Sequence, residues 1–253
     1  MAAIKEANLW FPSVRTDPRV QLRLFCFPYA GGGTNIYRSW PAKLPPQVDV
    51  CPAQLPGRGH RIREPSYTSV PALTKALAEG IRPFLHQPFA FFGHSMGAIL
   101  AFELARELRR TKNAQPIHVF ASGRIAPQIR RVKDRTYDLP EAQFIEKVRE
   151  INGTPKEVLD HPELMEMMIP LLRADFEVVE TYTYEPEAPL DCPITALGGL
   201  QDLEIPRECL EAWREQTTAG FSIRILQGDH FFVNTAQTFI YRILTDEIYK
   251  YLR

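Results

Sequence analysis

Short apolar runs rich in β-branched and aromatic residues recur along the chain: Leu22 to Phe27, Val48 to Cys51, Phe89 to Phe92, Ile117 to Ala121, Ile194 to Leu197 and Ile223 to Leu226. Runs of this length and composition read as buried parallel strands. Between them lie segments of helical spacing, Val70 to Leu85 and Met96 to Arg110, long enough to serve as crossover helices. Met96 to Arg110 carries Ile99, Leu100, Leu104 and Leu108 on one face, and Arg106, Arg109 and Arg110 near its end suit the negative pole of the helix dipole. The pattern predicts an α/β fold with a mostly parallel, doubly wound sheet.

The rhythm breaks between the fourth and fifth runs. Roughly seventy residues, Gly123 to Cys192, hold no comparable strand but several helical patterns, longer than an ordinary connection. The predicted helices are Glu141 to Asn152 and His161 to Thr181, the second interrupted or kinked where Pro170 removes a backbone donor. Loops at the carboxyl ends of parallel strands surround the functional cleft, so an insertion there predicts a helical lid at about 124–190 within a single domain spanning 1–253.

Composition narrows the class. At 45% hydrophobic and 24% charged, the chain is an ordinary globular protein, and 30 basic against 30 acidic residues leave no field that favours nucleic acid or an anionic membrane. The N-terminal stretch lacks the apolar core of a signal peptide and no segment approaches a membrane span, so a cytoplasmic protein is expected, with a monomer as the default. Cys26, Cys51, Cys192 and Cys209 are widely spaced, without CxxC pairing, and are expected as reduced thiols.

The most specific local signal is Gly93-His94-Ser95-Met96-Gly97, a G-x-S-x-G sequence between a predicted strand and a predicted helix. In such an elbow the serine occupies a strained turn and its Oγ projects into the cleft. A serine hydroxyl is a weak nucleophile at neutral pH and needs a histidine to take its proton and a carboxylate to fix the histidine tautomer. Of six histidines, His230 in Gly228-Asp229-His230-Phe231-Phe232 follows the last strand and is the expected base. His60, His86, His118 and His161 read as structural, and His94 should point away from the serine. Asp202, after Gly198-Gly199-Leu200-Gln201, completes the order Ser, Asp, His, with Asp229, Glu204 and Asp175 as weaker candidates for the acid.

A tetrahedral intermediate requires backbone donors at its oxyanion. The Met96 amide, at the start of its helix, is one; Ala30, in the glycine-rich loop Phe27-Pro28-Tyr29-Ala30-Gly31-Gly32-Gly33, is the expected second. No Gly-Lys-Ser/Thr follows that loop, which separates it from a phosphate-binding loop.

The ordered blocks Phe27 to Gly33, Leu55-Pro56-Gly57-Arg58-Gly59, Gly93 to Gly97, Gly198 to Asp202 and Gly228 to Phe232 resemble the type II thioesterases that accompany nonribosomal peptide and polyketide synthases. The same pattern occurs in the stand-alone thioesterase that releases medium-chain fatty acids from animal fatty acid synthase. The resemblance implies an α/β-hydrolase fold and hydrolysis of acyl groups from the phosphopantetheine arm of carrier proteins. It assigns nucleophile, acid and base to Ser95, Asp202 and His230, and the oxyanion amides to Ala30 and Met96. That chemistry requires no metal or organic cofactor.

The lid stretch Leu164 to Leu172 offers apolar surface for an acyl channel, with Met165 and Met168 as candidate contacts. Arg124, Arg130, Arg131, Lys133 and Arg135 form a basic run that suits an acidic carrier-protein helix or, equally, a solvated face. Asn152-Gly153-Thr154 matches a glycosylation acceptor but, without a secretory signal, reads as coincidence. A carboxylesterase or lipase would use the same triad, an acyltransferase would differ only in the acceptor, and a non-enzymatic binding protein would be expected to have lost part of it.

Overall fold

The computed structural model describes residues 8–130, 135–151, 153 and 159–252. Six strands form one sheet: β1 (Leu22–Phe27), β2 (Val48–Pro52), β3 (Phe89–His94), β4 (Val119–Ser122), β5 (Ile194–Gly199) and β6 (Phe221–Leu226). All pairs are parallel, in the order β2-β1-β3-β4-β5-β6. The strand order reverses beside β1 and β3, whose registers pair Phe25 with Phe91 and Phe27 with Gly93. The loops leaving these two carboxyl ends diverge there, and the crevice they leave is where α/β sheets place their ligands.

The continuous apolar runs have a simple origin, because both faces of the sheet are covered. Alternate side chains serve opposite cores. Phe25, Phe27, Phe91, Ala121 and Ala196 pack on one face with helices α1 (Val70–Ile81) and α2 (Met96–Lys112). Leu24, Cys26, Phe92, Phe120 and Leu197 pack on the other with Trp40 and, later in the chain, Ile240 and Leu244. Leu100, Leu104 and Leu108 of α2 are fully buried, and each contributes roughly 1.5–3 kcal/mol of apolar transfer. The helix ends at Asn113, whose left-handed backbone returns its N–H to the Leu108 carbonyl. Arg106 does more than complement the dipole: it is buried against Glu103 at 2.6 Å and Glu187 at 3.0 Å.

The segment after β4 is helical, with α3 (Glu141–Ile151) and α4 (Pro162–Glu180). The helix α4 runs through Pro170 without interruption. The two helices share a small core of Phe144, Val148, Met165, Ile169 and Leu172, separate from the two that sandwich the sheet. Short helices α5 (Arg207–Glu211) and α6 (Phe232–Thr235) and the longer α7 (Gln237–Ile248) complete the chain. Predicted boundaries shift by a few residues: His118 precedes β4 instead of lying within it, α1 ends at Ile81 in a 3-10 turn over Arg82–Phe84, and β6 begins at Phe221. All four cysteines are free thiols, and burial pushes Cys192 up to about 12 and Cys26 and Cys51 well above the usual thiol value. Among the described residues no helix is long and apolar enough to cross a membrane. Arg131, Lys133, Asn152 and Thr154 lie outside the described residues.

Candidate active site

Ser95 joins β3 to α2 in a backbone conformation that L residues rarely adopt, φ 54° and ψ −112°. The flanking glycines make this turn possible. A Cβ on Gly93 would lie 1.9 Å from the Gly97 carbonyl oxygen, and one on Gly97 would lie 2.0 Å from the Phe27 carbonyl oxygen. Any larger residue would push strand and helix apart. The turn is held from behind by the Ser95 amide, which donates to the Ser122 carbonyl at 2.8 Å.

The Ser95 hydroxyl donates to His230 Nε2 at 3.1 Å, and His230 Nδ1–H donates to Asp202 Oδ2 at 2.7 Å. The Asp202 side chain is 1% exposed and its other oxygen accepts from the Glu204 amide at 3.0 Å, so one oxygen is left for the histidine. The loops that carry acid and base are tied together: Leu200 N–H donates to the Leu226 carbonyl at 2.7 Å and Gln201 N–H to that of Gly228 at 2.9 Å. Asp229 caps its own turn through the Phe231 amide at 2.8 Å instead of reaching the histidine.

His94 turns away from the cleft and supports it from below. Its ring is fully buried, with Nε2 2.8 Å from the His230 carbonyl oxygen and Nδ1 2.9 Å from Ser122 Oγ. A carbonyl only accepts, so Nε2 carries the proton and Nδ1 accepts from the serine hydroxyl. Burial and the neighbouring His230 hold its pKa down at about 3, so the ring is neutral. This brace for the base-bearing loop left no mark in the sequence beyond its place in the elbow.

Ala30 and Ser95 line one cleft, and the amides of Ala30 and Met96 donate to no group among the described residues. The loop carrying Ala30 is anchored from α4. Gly31, at φ +78°, donates its N–H to Asp175 Oδ2 at 2.7 Å. Arg58 grips Asp175 with two bonds, Nη1 to Oδ2 at 2.8 Å and Nη2 to Oδ1 at 2.7 Å, and gives Nη1 also to the Gly32 carbonyl at 2.8 Å. Asp175 is thus a structural carboxylate with no line to His230. Arg58, from the Leu55 to Gly59 block, gains a role that its sequence position alone did not reveal.

The cleft beside Ser95 measures about 1150 Å³ and is walled by Ile99, Ile125, Leu172, Phe176 and Val179. Met165 and Met168 do not line it. Met165 is buried between α3 and α4, and Met168 packs on the edge of that same cluster. The apolar α4 residues that line the cleft, Leu172, Phe176 and Val179, come later in the helix. Arg124, Arg130 and Arg135 of the basic run stand along the cleft.

The strand order, the strained serine turn and the hydrogen-bonded relay are those of an α/β-hydrolase. The thioesterase domain model matches residues 22–248, and the chain belongs to that family. It is 46% identical over 246 residues to linear gramicidin dehydrogenase LgrE of Brevibacillus parabrevis, covering 96% of this chain and 94% of the relative. Gramicidin S biosynthesis protein GrsT of Aneurinibacillus migulanus is 46% identical over 233 residues, covering 92% of this chain and 91% of its own. Among solved structures, the type II thioesterase BorB from the borrelidin biosynthetic cluster superposes with TM-score 0.86 at 34% identity, over 97% of this chain and 98% of that one. The protein is a hydrolase acting on thioesters.

Proposed function

We propose that the protein removes acyl groups from the phosphopantetheine arm of carrier-protein domains in a nonribosomal peptide or polyketide synthase, with Ser95 as nucleophile. The observation that carries this reading is the unbroken relay from Ser95 through His230 to Asp202, opening on a cleft that Ala30 also lines. His230 takes the Ser95 proton as Oγ attacks the thioester carbonyl, while buried Asp202 stabilises the imidazolium. The Ala30 and Met96 amides hold the oxyanion. The intermediate collapses with loss of the pantetheine thiol, which receives the proton. Water then enters, gives its proton to His230 and releases the acid from Ser95.

The segment at about 124–190 acts as a lid on a single domain, its apolar wall taking the acyl chain. The protein works in the cytoplasm as a monomer. One relative carries a dehydrogenase name; in this chain β1 is followed by Gly31-Gly32-Gly33-Thr34-Asn35-Ile36, which lacks the third glycine of a dinucleotide fingerprint, and by a 3-10 turn, Thr34–Tyr37.

Intact-protein mass spectrometry on carrier protein bearing acetyl, medium-chain or aminoacyl groups tests the proposal. The wild type strips the acyl group and Ser95→Ala does not. Cleavage of simple oxygen esters with carrier thioesters left intact would replace the reading with that of a carboxylesterase.

A further inference from the structure

Among the described residues, two hydrogen bonds join the loop 227–236, which carries the base, to the elbow 93–97, which carries the nucleophile. One is the contact from Ser95 Oγ to His230 Nε2 at 3.1 Å. The other runs from His94 Nε2–H to the main-chain carbonyl of His230 at 2.8 Å. The loop is also tied by the Gln201 amide to the Gly228 carbonyl at 2.9 Å and by the Gly228 amide to Gln201 Oε1 at 2.6 Å. Those bonds hold the base to the acid, and leave its distance from the serine to the first two.

His94 is itself fixed by the end of β4. Ser122 uses both of its oxygens there: the carbonyl takes the Ser95 amide at 2.8 Å, and the hydroxyl donates to His94 Nδ1 at 2.9 Å. Both side chains are fully buried. Gly123 follows at φ +60°, and a Cβ there would lie 2.6 Å from His94 Cε1. Phe232 and Tyr29 stand edge-on to the same ring at 5.1 and 5.9 Å. A ring so enclosed keeps one orientation, and its single N–H ends on the main chain of the base.

Of the two links, one is lost during turnover. Once Ser95 is acylated, Oγ is an ester oxygen with no proton to donate, and Nε2 of neutral His230 has none either. Deacylation still needs that nitrogen beside the acyl carbonyl. It takes a proton from water as the water oxygen bonds to the carbonyl carbon, then returns it to Oγ as the Ser95 ester bond breaks and the acid leaves. On the hydrolase reading above, we infer that Ser122 and His94 form a second relay behind the site, in which His94 is the positioning residue that keeps His230 over the acyl-enzyme while water attacks.

Two substitutions divide the two bonds of the ring. His94→Asn puts its amide where Nδ1 stands, so it can meet Ser122 but falls short of His230; His94→Gln reaches the Nε2 position and can donate to the His230 carbonyl. With hexanoyl-pantetheine, His94→Asn should lower kcat by roughly a hundredfold, the scale of an ångström of misplacement, and lower KM with it, so that kcat/KM falls by less than about tenfold. Acid quench during turnover should find a larger fraction of Ser95 acylated than in the wild type. His94→Gln should recover most of kcat. His94→Phe, which keeps a ring and loses both bonds, repeats the asparagine test in a second background should that variant fail to fold. Wild-type kcat in His94→Asn and His94→Phe overturns the assignment, as does a loss of kcat with KM and the acylated fraction unchanged, which is the mark of a smaller active population.

Nuclear magnetic resonance of protein labelled with 15N-histidine separates this relay from the hydrolase reading. The proton that His230 Nδ1 donates to Asp202 should give a downfield resonance that persists in His94→Gln and broadens in His94→Asn. That dependence in a protein that never acylates Ser95 keeps the brace and discards the nucleophile. An unchanged resonance with normal deacylation in His94→Asn discards the brace and leaves the nucleophile in place.

Discussion

Arg58 and Asp175, 117 residues apart in the chain, form a bidentate pair whose carboxylate also receives the Gly31 amide, so one buried contact joins α4 to the loop that bears Ala30, the proposed oxyanion donor. Both side chains are largely removed from solvent, at 8% and 3% exposure. Removing one partner from such a pair leaves a buried charge unanswered, which costs about 3–5 kcal/mol. Asp175→Ala is expected to lose stability on that scale in urea unfolding. Asp175→Asn, which keeps an acceptor for Gly31, should fold better and lose kcat with KM little altered, because the loop contact matters most when the oxyanion forms. Equal kcat in the wild type and both variants would separate this pair from catalysis.

The relay places all the orienting work on Asp202, whose single accessible partner oxygen faces His230. Asp202→Asn can donate to the ring and favour the wrong tautomer. Steady-state kinetics should show kcat lower by about 10⁴-fold with the fold intact. A loss below tenfold would point to a different acid.

His94 and His118 are both neutral in the folded protein, held at about 3 and about 4 chiefly by burial. The unfolded chain binds protons at these positions below about pH 6.5 and the folded chain does not until the pH falls much further. Stability should therefore be fully present above that point and fall on acidification, with each histidine adding up to about 1.4 kcal/mol per pH unit. Unfolding midpoints taken between pH 7 and 4.5 check this, and His118→Gln should show a shallower dependence than the wild type.

The cleft wall predicts chain-length selection. Val179 lies two turns beyond Leu172 on α4, and both line the cleft. Val179→Trp should depress kcat/KM for medium and long acyl groups by about tenfold while acetyl transfer to water stays within a factor of two, given that one methylene in a pocket is worth about 1–3 kcal/mol. A uniform loss across chain lengths would mean that the substitution disturbs the lid as a whole.

Much of this architecture is legible in the sequence because its signals are local. Strands buried on both faces leave continuous apolar runs, and the strained elbow demands small residues beside Ser95. The Ser, Asp and His positions follow from strand ends. The hidden parts depend on contacts distant in the chain or on choosing one helix face. Arg58 and Asp175 meet only in the folded state. From Leu164 to Leu172 apolar residues occupy nearly the whole circumference of α4, so nothing local distinguishes Met165, buried between α3 and α4, from Leu172, which lines the cleft. Tyr29 and Gln237 line a common groove although more than two hundred residues separate them in the chain.

The central claim is that the acyl group passes through a covalent bond to Ser95 Oγ. Rapid acid quench of wild-type protein turning over an acyl-phosphopantetheine thioester, followed by peptide mass spectrometry, tests this most directly. The acyl mass should appear on the peptide carrying Ser95 and vanish in Ser95→Ala together with hydrolysis. Turnover with Ser95 never acylated, or hydrolysis persisting in Ser95→Ala, would contradict the account.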